Sequence, residues 1–105
     1  MPDAATPETL VTLRLTVNNH PGVMSHVCGL FARRVYNLEG ILVTPNKDGA
    51  TSSMWLLINE DSRMDQVVRQ VRKLHDVLDL RVAETDTNAC ARLNACLESA
   101  FAADV

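Results

Sequence analysis

The sequence predicts an α+β domain in which four strands and two helices follow one another in the order βαββαβ, with both helices on one face of the sheet. Alternating apolar residues mark the strands, and apolar residues three and four positions apart mark the helices. The 105 residues include one Trp, one Tyr and two Phe, so the core must be mainly aliphatic. Two helices in this order cannot line both faces of four strands, so the other face stays open.

The first strand and first helix have the clearest patterns. Residues Leu10 to Asn18 alternate, which predicts a strand with one apolar face formed by Val11, Leu13, Leu15 and Val17. Helical spacing then relates Val23, Val27, Leu30 and Phe31, with Met24, Cys28 and Val35 widening the stripe. Asn37 is the expected end of this helix.

The second half of the domain starts with a predicted hairpin. Two apolar runs, Leu38 to Thr44 and Ser53 to Asn59, flank a polar segment that follows Pro45. Ser62 and Asp65 form a weak capping-box signature for a second helix, whose apolar stripe is Met64, Val67, Val68, Val71 and Leu74. Residues Val77 to Glu84 alternate again, with Leu78, Leu80 and Val82 on one face.

We expect three parts in the chain: a flexible segment at 1–9, the folded domain at 10–85 and a tail at 86–105. Apolar residues of the tail recur at intervals of three and four and are consistent with a short amphipathic helix: Cys90, Leu93, Leu97 and Phe101. An isolated helix of this length is marginal in water. We therefore expect the tail to dock on a partner or to stay mobile, rather than to pack on its own domain.

Charge and composition exclude several classes of function. The net charge is −3 and the arginines are scattered, which argues against a nucleic-acid partner. No apolar run reaches transmembrane length, and residues 1–9 do not resemble a secretory signal. Three cysteines at no framework spacing indicate reduced thiols, which favours the cytoplasm over an exported or membrane-bound protein.

The segment between the first strand and first helix is the strongest functional candidate. Pro21 has φ already fixed for a first helical turn, and Gly22 lets a ligand approach the backbone. A small carboxylate could bind the free N–H groups of Gly22, Val23 and Met24 and gain from the helix dipole. The alternative is that Asn19 or His20 simply caps the helix, and the local pattern leaves both interpretations open.

Three other groups of residues bear on the function of the chain. His20, His26 and Cys28 suggest a metal site or a thiol nucleophile, but the two histidines fall on different helix faces and no further ligand is suitably spaced. No carboxylates pair as acid and base, so we expect no catalysis by this chain. Trp55 and Leu57, with Ile41 or Val43, are predicted to lie on the open sheet face and to form an interface with a partner.

Two long segments carry a family resemblance. NNHPGVMSHVCGLFARRVYNLEGI at 18–41 and SMWLLINED at 53–61 resemble the ACT-domain regulatory small subunit of acetohydroxyacid synthase (acetolactate synthase), in its single-domain form that partners the isozyme I catalytic subunit. The resemblance implies a ferredoxin-like antiparallel sheet and a side-by-side homodimer through the edge strand at Leu38 to Thr44. The tail after Asp86 follows no pattern of that family.

The same resemblance implies a regulatory role. Valine is expected to bind at the dimer interface, and the chain to activate the catalytic large subunit and confer feedback inhibition. The implied ligand residues are Asn19, His20, Pro21, Gly22, Val23 and Met24, with Asn37 from the neighbouring subunit. Thiamine diphosphate, Mg²⁺ and FAD are implied for the catalytic partner and none for this chain. The alternatives are a free-standing amino-acid sensor of another enzyme and an RNA-binding module of the same topology.

Overall fold

The computed structural model describes residues 9–86 and 88–102. These form β1 (Leu10–Asn18), α1 (Val23–Arg33), β2 (Leu38–Pro45), β3 (Thr51–Asn59), α2 (Met64–Arg72), β4 (Val77–Thr85) and α3 (Ala89–Ala102). The strands form one antiparallel sheet in the order β2-β3-β1-β4, which confirms the predicted ferredoxin-like fold. The predicted flexible segment at 1–9 lies outside the described residues except for Thr9, as do the last three residues of the tail. None of the described helices combines the length and apolar character needed to cross a bilayer.

The core lies between one face of the sheet and the two helices α1 and α2. The alternating residues of the central strands β1 and β3 point into it, and the predicted stripes of α1 and α2 cover them. The fully buried side chains include Leu13, Leu15, Met54, Leu56, Ile58, Val27, Phe31, Val67 and Val71. Each large aliphatic side chain that is fully buried contributes about 1.5–3 kcal/mol relative to exposure to water.

Helix α1 ends at Arg33, earlier than the predicted end at Asn37. Val35 has φ 53, and its N–H donates to the Ala32 carbonyl oxygen, while the Tyr36 N–H donates to Phe31. This pair of hydrogen bonds is a Schellman motif, and Val35 occupies the left-handed position where glycine is usual. Val35 is therefore exposed rather than part of the apolar stripe, and Tyr36 takes its place by packing edge-on against Phe31.

Helix α2 begins differently from the prediction. Arg63 is the N-cap residue and no side chain caps the helix, so the predicted capping role of Ser62 is wrong. The Asp61 carboxylate instead accepts the Arg63 N–H at 2.7 Å, and the Asp61 carbonyl oxygen accepts the Met64 N–H. The short Asp side chain folds back on the chain two residues later, which competes effectively with a cap from Ser62.

A bulge in β2 changes which of its side chains reach each face. Leu38 pairs with Ile58 and Gly40 pairs with Leu57, so Glu39 is an extra residue in the ladder. Leu38 and Gly40 would share a face in a regular strand, but the bulge puts them on opposite faces. Beyond the bulge, Ile41 and Val43 point to the helix side and Leu42 to the open side.

Helix α3 follows β4 and packs only loosely on the domain. Its residues Ala89 and Leu93 lie over the open face of the sheet, whereas no residue of α3 is buried. The exposed side chains of Leu97 and Phe101 continue the line of Leu93 at intervals of four. Among the described residues of the tail, Ala89, Cys90 and Leu93 are partly buried, whereas Leu97 and Phe101 are exposed.

Candidate functional site

The loop from Asn19 to Gly22 joins β1 to α1. Gly22 is the N-cap residue with φ 94, a left-handed conformation that disfavours other residues, and no side chain caps the helix. The alternative that Asn19 or His20 caps α1 is therefore wrong. Pro21 precedes the N-cap residue instead of lying in the first helical turn as predicted.

Free backbone donors lie at the start of α1. The first hydrogen bond of the helix runs from the His26 N–H to the Gly22 carbonyl oxygen at 3.0 Å. The N–H groups of Val23, Met24 and Ser25 precede it and have no carbonyl partner within the helix. They point out of the positive end of the helix dipole, which favours an anionic group at this position.

A small cavity of about 110 Å³ lies beside these donors. It brings together four of the predicted ligand residues, Asn19, His20, Val23 and Met24, with Val43 of β2. The remaining lining comes from the ends of β1 and β3: Val17, Asn18, Ser52 and Met54. The cavity thus combines polar loop groups with an apolar wall, which suits an amino acid with an aliphatic side chain.

Asn37 lies far from this cavity in the same chain. It precedes Leu38 at one end of β2, and its side-chain amide donates to the Glu39 carboxylate at 2.8 Å. The loop lies at the other end of the sheet, where Pro45 pairs with Ser52. Eight residues of strand span roughly 25 Å, so Asn37 does not contact the Asn19 loop of its own chain.

An aspartate that the sequence analysis missed holds the loop. Asp76, in the turn between α2 and β4, accepts a hydrogen bond from the Asn18 side chain at 3.1 Å and lies 2.8 Å from His20 Nε2. These hydrogen bonds, that from Asn18 first, lower the pKa of Asp76. The hydrogen bond with the Pro21 carbonyl oxygen and then that with Asp76 raise the pKa of His20.

Apolar side chains are exposed along the free edge of β2. Met24 is 52% exposed, Ile41 40% and Val43 38%, and the last two share the helix side of the strand. β2 lies at one edge of the order β2-β3-β1-β4, so its outer backbone groups pair with no other strand among residues 9–86 and 88–102. Unpaired backbone next to exposed apolar side chains is typical of a strand that pairs with another chain.

The open face of the sheet carries a second, larger cavity of about 480 Å³. Trp55 and Leu57 of β3 line it together with Leu42, and the Arg14 guanidinium lies 5.0 Å from the centre of the Trp55 ring. The expectation that Ile41 shares this face is wrong, because the bulge at Glu39 turns Ile41 to the other side. The start of α3 forms one wall of the cavity through Ala89 and Leu93.

The thiol and metal alternatives find no support in the geometry. Among residues 9–86 and 88–102, no three His, Cys, Asp or Glu side chains are grouped to hold a metal ion. Burial raises the pKa of the Cys28 thiol, which makes it a poorer nucleophile.

Comparison with known proteins decides the family. The family described as AHAS small subunit-like ACT domain, where AHAS is acetohydroxyacid synthase, matches residues 13–79. The chain belongs to this family. The match contains the whole β1–α1 loop, the edge strand β2 and Asp76.

Named AHAS relatives agree with this result. The chain is 54% identical over 76 residues to the acetolactate synthase isozyme 1 small subunit of Escherichia coli K12, which covers 72% of this chain and 79% of that protein. It is 36% identical over 78 residues to the isozyme 3 small subunit of the same organism, covering 73% of this chain and 47% of that protein. The chain is thus a regulatory small subunit of acetolactate synthase, and such a subunit implies a catalytic large subunit as its partner.

Solved structures of AHAS small subunits and other ACT domains have the same fold. The small subunit from Thermotoga maritima is 32% identical with a TM-score of 0.59, over 78% of this chain and 49% of that one. The ACT domain of the GTP pyrophosphokinase from Chlorobium tepidum is 16% identical with a TM-score of 0.60, over 75% of this chain and 90% of that one. At this identity the similarity shows the fold alone.

Proposed function

We propose that this small subunit binds valine at the seam of a homodimer in the cytoplasm, activates the catalytic large subunit and makes it subject to feedback inhibition. The observation that carries the proposal is the N-terminus of α1, whose free N–H groups adjoin a cavity that ends at the free edge of the sheet. In this proposal the valine carboxylate binds the N–H groups of Val23, Met24 and Ser25. Its side chain contacts the apolar wall formed by Val23, Met24 and Val43.

The geometry of β2 supports a site shared by two subunits. In an antiparallel pairing of two β2 strands about a two-fold axis, the start of one strand lies beside the end of the other. Asn37 of one subunit then approaches the Asn19 loop of its partner, although the two are far apart within one chain. The exposed Ile41 and Val43 of both copies meet along the same seam, which removes their apolar surface from water.

The lining of the cavity favours short aliphatic side chains. Its apolar wall offers no charged group to a ligand side chain, so a charged amino acid would lose its hydration without a partner. One methylene group changes binding by about 1–3 kcal/mol, so isoleucine and leucine are expected to bind more weakly than valine.

Valine acts in this proposal by selecting one geometry of the dimer. A ligand that contacts both subunits binds best when they are held at one angle, and it shifts the population toward that geometry. The large subunit, which is proposed to carry thiamine diphosphate, Mg²⁺ and FAD, is held in its inhibited form by that geometry. The contribution of this chain is the free energy of valine binding, which drives the change in dimer geometry.

The large subunit is proposed to dock on the open face of the sheet. This face carries Trp55 and Leu57, and the seam at the β2 edge leaves it uncovered. Arg14 and Arg81 flank the apolar cavity, so a partner segment with apolar and acidic side chains would complement it. Trp55→Ala is expected to weaken association with the large subunit more than tenfold, because a central aromatic residue contributes much of the energy of an interface.

The matched control for this variant is Leu78→Ala, which removes an exposed apolar side chain of β4 that does not line the cavity of the open face. Affinity for the large subunit is measured by surface plasmon resonance with each variant. If Trp55→Ala binds within twofold of the unaltered chain, the open face is not the docking surface.

Titration calorimetry of the full chain with valine, leucine and isoleucine tests the proposed function, together with sedimentation equilibrium. We expect a dimer that binds valine in preference to the other two. A chain that is strictly monomeric and gives no heat with any of the three would overturn the proposal.

A further inference from the structure

We propose that Asp76 is the positioning residue of the effector site: it holds the loop from Asn18 to Gly22 in the shape that binds the ligand, without touching the ligand itself. The inference rests on the proposed function and adds a residue of the α2–β4 turn to a site otherwise built from α1 and β2. Three contacts between this turn and the loop carry it, together with one hydrogen bond from the loop to the β2–β3 hairpin.

Asp76 first fixes the end of β1. The Asn18 N–H donates to the Asp76 carbonyl oxygen at 2.9 Å, and the Asn18 side-chain amide donates to Asp76 Oδ1 at 3.1 Å. Asn18 and Asp76 are therefore joined by one hydrogen bond between their backbones and a second between their side chains. This double contact sets the point at which the chain leaves the sheet.

Asp76 then fixes the loop on the far side of Asn19. His20 Nε2 lies 2.8 Å from Asp76 Oδ1, and His20 Nδ1 lies 2.8 Å from the Pro21 carbonyl oxygen. Both ring nitrogens thus face acceptors, an arrangement that the doubly protonated imidazolium satisfies fully. Because Asn18 and His20 are both tied to one carboxylate, the backbone of Asn19 between them has little freedom.

The opposite side of the loop is held by the hairpin. The Asn19 N–H donates to the Ala50 carbonyl oxygen at 2.9 Å. The loop is therefore clamped between the β2–β3 turn and Asp76, and the side chain of Asp76 is only 16% exposed. A loop that is ordered before the ligand arrives loses less entropy on binding, so its clamps raise affinity without contacting the ligand.

Other titratable groups face the same region. His26 of α1 and His75 line a cavity of about 260 Å³ together with Asp76, and His75 also helps to lower the pKa of that carboxylate. His20 and His75 thus act on Asp76, whereas His26, the third histidine of the chain, shares only the cavity lining with it. The NMR titration must therefore resolve the His20 ring from the other two.

The test uses the full chain with Asp76→Asn and Asp76→Ala, and Asp79→Asn as the matched control. The Asn variant removes the charge that pairs with His20 but keeps an acceptor for Asn18, whereas the Ala variant removes both. Asp79 is an exposed carboxylate on β4 that accepts a hydrogen bond from Arg81 Nε at 3.2 Å, so its variant removes the same charge without altering the loop.

Two measurements are made on each chain. Calorimetry gives the dissociation constant of valine, and NMR follows the titration of the His20 ring in the ligand-free protein. We expect valine binding to weaken about tenfold in Asp76→Asn, more in Asp76→Ala and less than twofold in Asp79→Asn. The titration midpoint of His20 should fall in both Asp76 variants and stay in place in the control.

The outcomes separate the two proposals. If the unaltered chain binds valine and Asp76→Asn binds it equally well, the role of Asp76 is wrong and the effector site stands. The role is also wrong if the His20 midpoint does not move. If the unaltered chain binds no valine, the proposed function itself fails, and the inference about Asp76 fails with it.

Discussion

Gly22→Asp is the sharpest test of where the effector carboxylate binds. The substitution puts a second carboxylate at the N-terminus of α1, beside the donors of Val23 and Met24. An added Cβ at Gly22 meets nothing within 4 Å, so the space accepts a side chain. The substitution destabilises the fold because residue 22 has a φ of 94. Asn and Asp adopt this left-handed conformation more readily than other non-glycine residues, at a cost of about 1 kcal/mol in folding free energy.

The effect on binding is electrostatic. Two carboxylates about 5 Å apart repel by about 3 kcal/mol at an effective dielectric constant of 20, and by about 1 kcal/mol in bulk water. Gly22 is exposed, so the value lies between these limits, and valine affinity should fall by about 5-fold to 150-fold. Gly22→Asn has the same shape and the same backbone strain without the charge, which makes it the matched control.

Calorimetry with valine on both variants separates charge from strain, and the same pair is assayed for inhibition of the reconstituted synthase. Both variants should melt at similar temperatures, about 4–8 °C below the unaltered chain. Equal valine affinity of Gly22→Asp and Gly22→Asn would refute the assignment of the carboxylate to this helix end.

Four further results are expected. Asn37→Ala should weaken valine binding about tenfold in calorimetry while the dimer persists in sedimentation, because one polar contact to the ligand is lost; unchanged affinity contradicts a shared site. Ile41→Glu should yield monomers in sedimentation velocity, since like charges would face each other at the seam; an intact dimer excludes β2. Leu56→Ala should lower the free energy of unfolding by about 2–5 kcal/mol in urea titrations, because Leu56 is fully buried; a change under 1 kcal/mol contradicts that burial. The melting-temperature gap between the unaltered chain and Asp76→Asn should be widest between pH 3.8 and 6.5, the ordinary pKa values of Asp and His.

The sign of this last effect follows from the two pKa shifts. The raised pKa of His20 adds stability that is present below pH 6.5 and is lost as the pH rises through the raised value. The lowered pKa of Asp76 adds stability that is present above pH 3.8 and is lost as the pH falls through the lowered value. A gap that stays constant from pH 4 to pH 9 would show that charge on the pair does not contribute.

The periodic patterns predicted the order of elements and the core well. The buried residues of α1 are the four at helical spacing, and β1 has the predicted bounds. The buried face of α1 and the bounds of β1 are both set by the burial of apolar side chains, and the spacing of those side chains can be read from the local sequence. The end of α1 was not predictable in this way, because Val35 adopts a left-handed conformation that its β-branched side chain disfavours.

The candidate site could be read from the sequence only where it is continuous along the chain. The loop from Asn19 to Met24 is local, so its composition indicated a helix N-terminus open to an anion. Asp76 is 58 residues from Asn18, and nothing in the sequence around it distinguishes it from other surface aspartates. The face of Ile41 was predicted wrongly because a single extra residue, Glu39, inverts the alternation and leaves no pattern of its own.

The single strand β2, which contains the bulge at Glu39, contributes side chains to both of the proposed surfaces. Beyond it, Ile41 and Val43 belong to the proposed seam and Leu42, between them, belongs to the proposed docking surface. In the proposed mechanism, a rotation of β2 about its own axis would move the side chains of both surfaces at once. Valine binding at the seam would therefore be coupled to the docking surface through this single strand. Deleting Glu39 would remove the bulge but leave Ile41, Leu42 and Val43 opposite Leu56, Trp55 and Met54 as they are now, so both proposed surfaces should persist in the shortened chain.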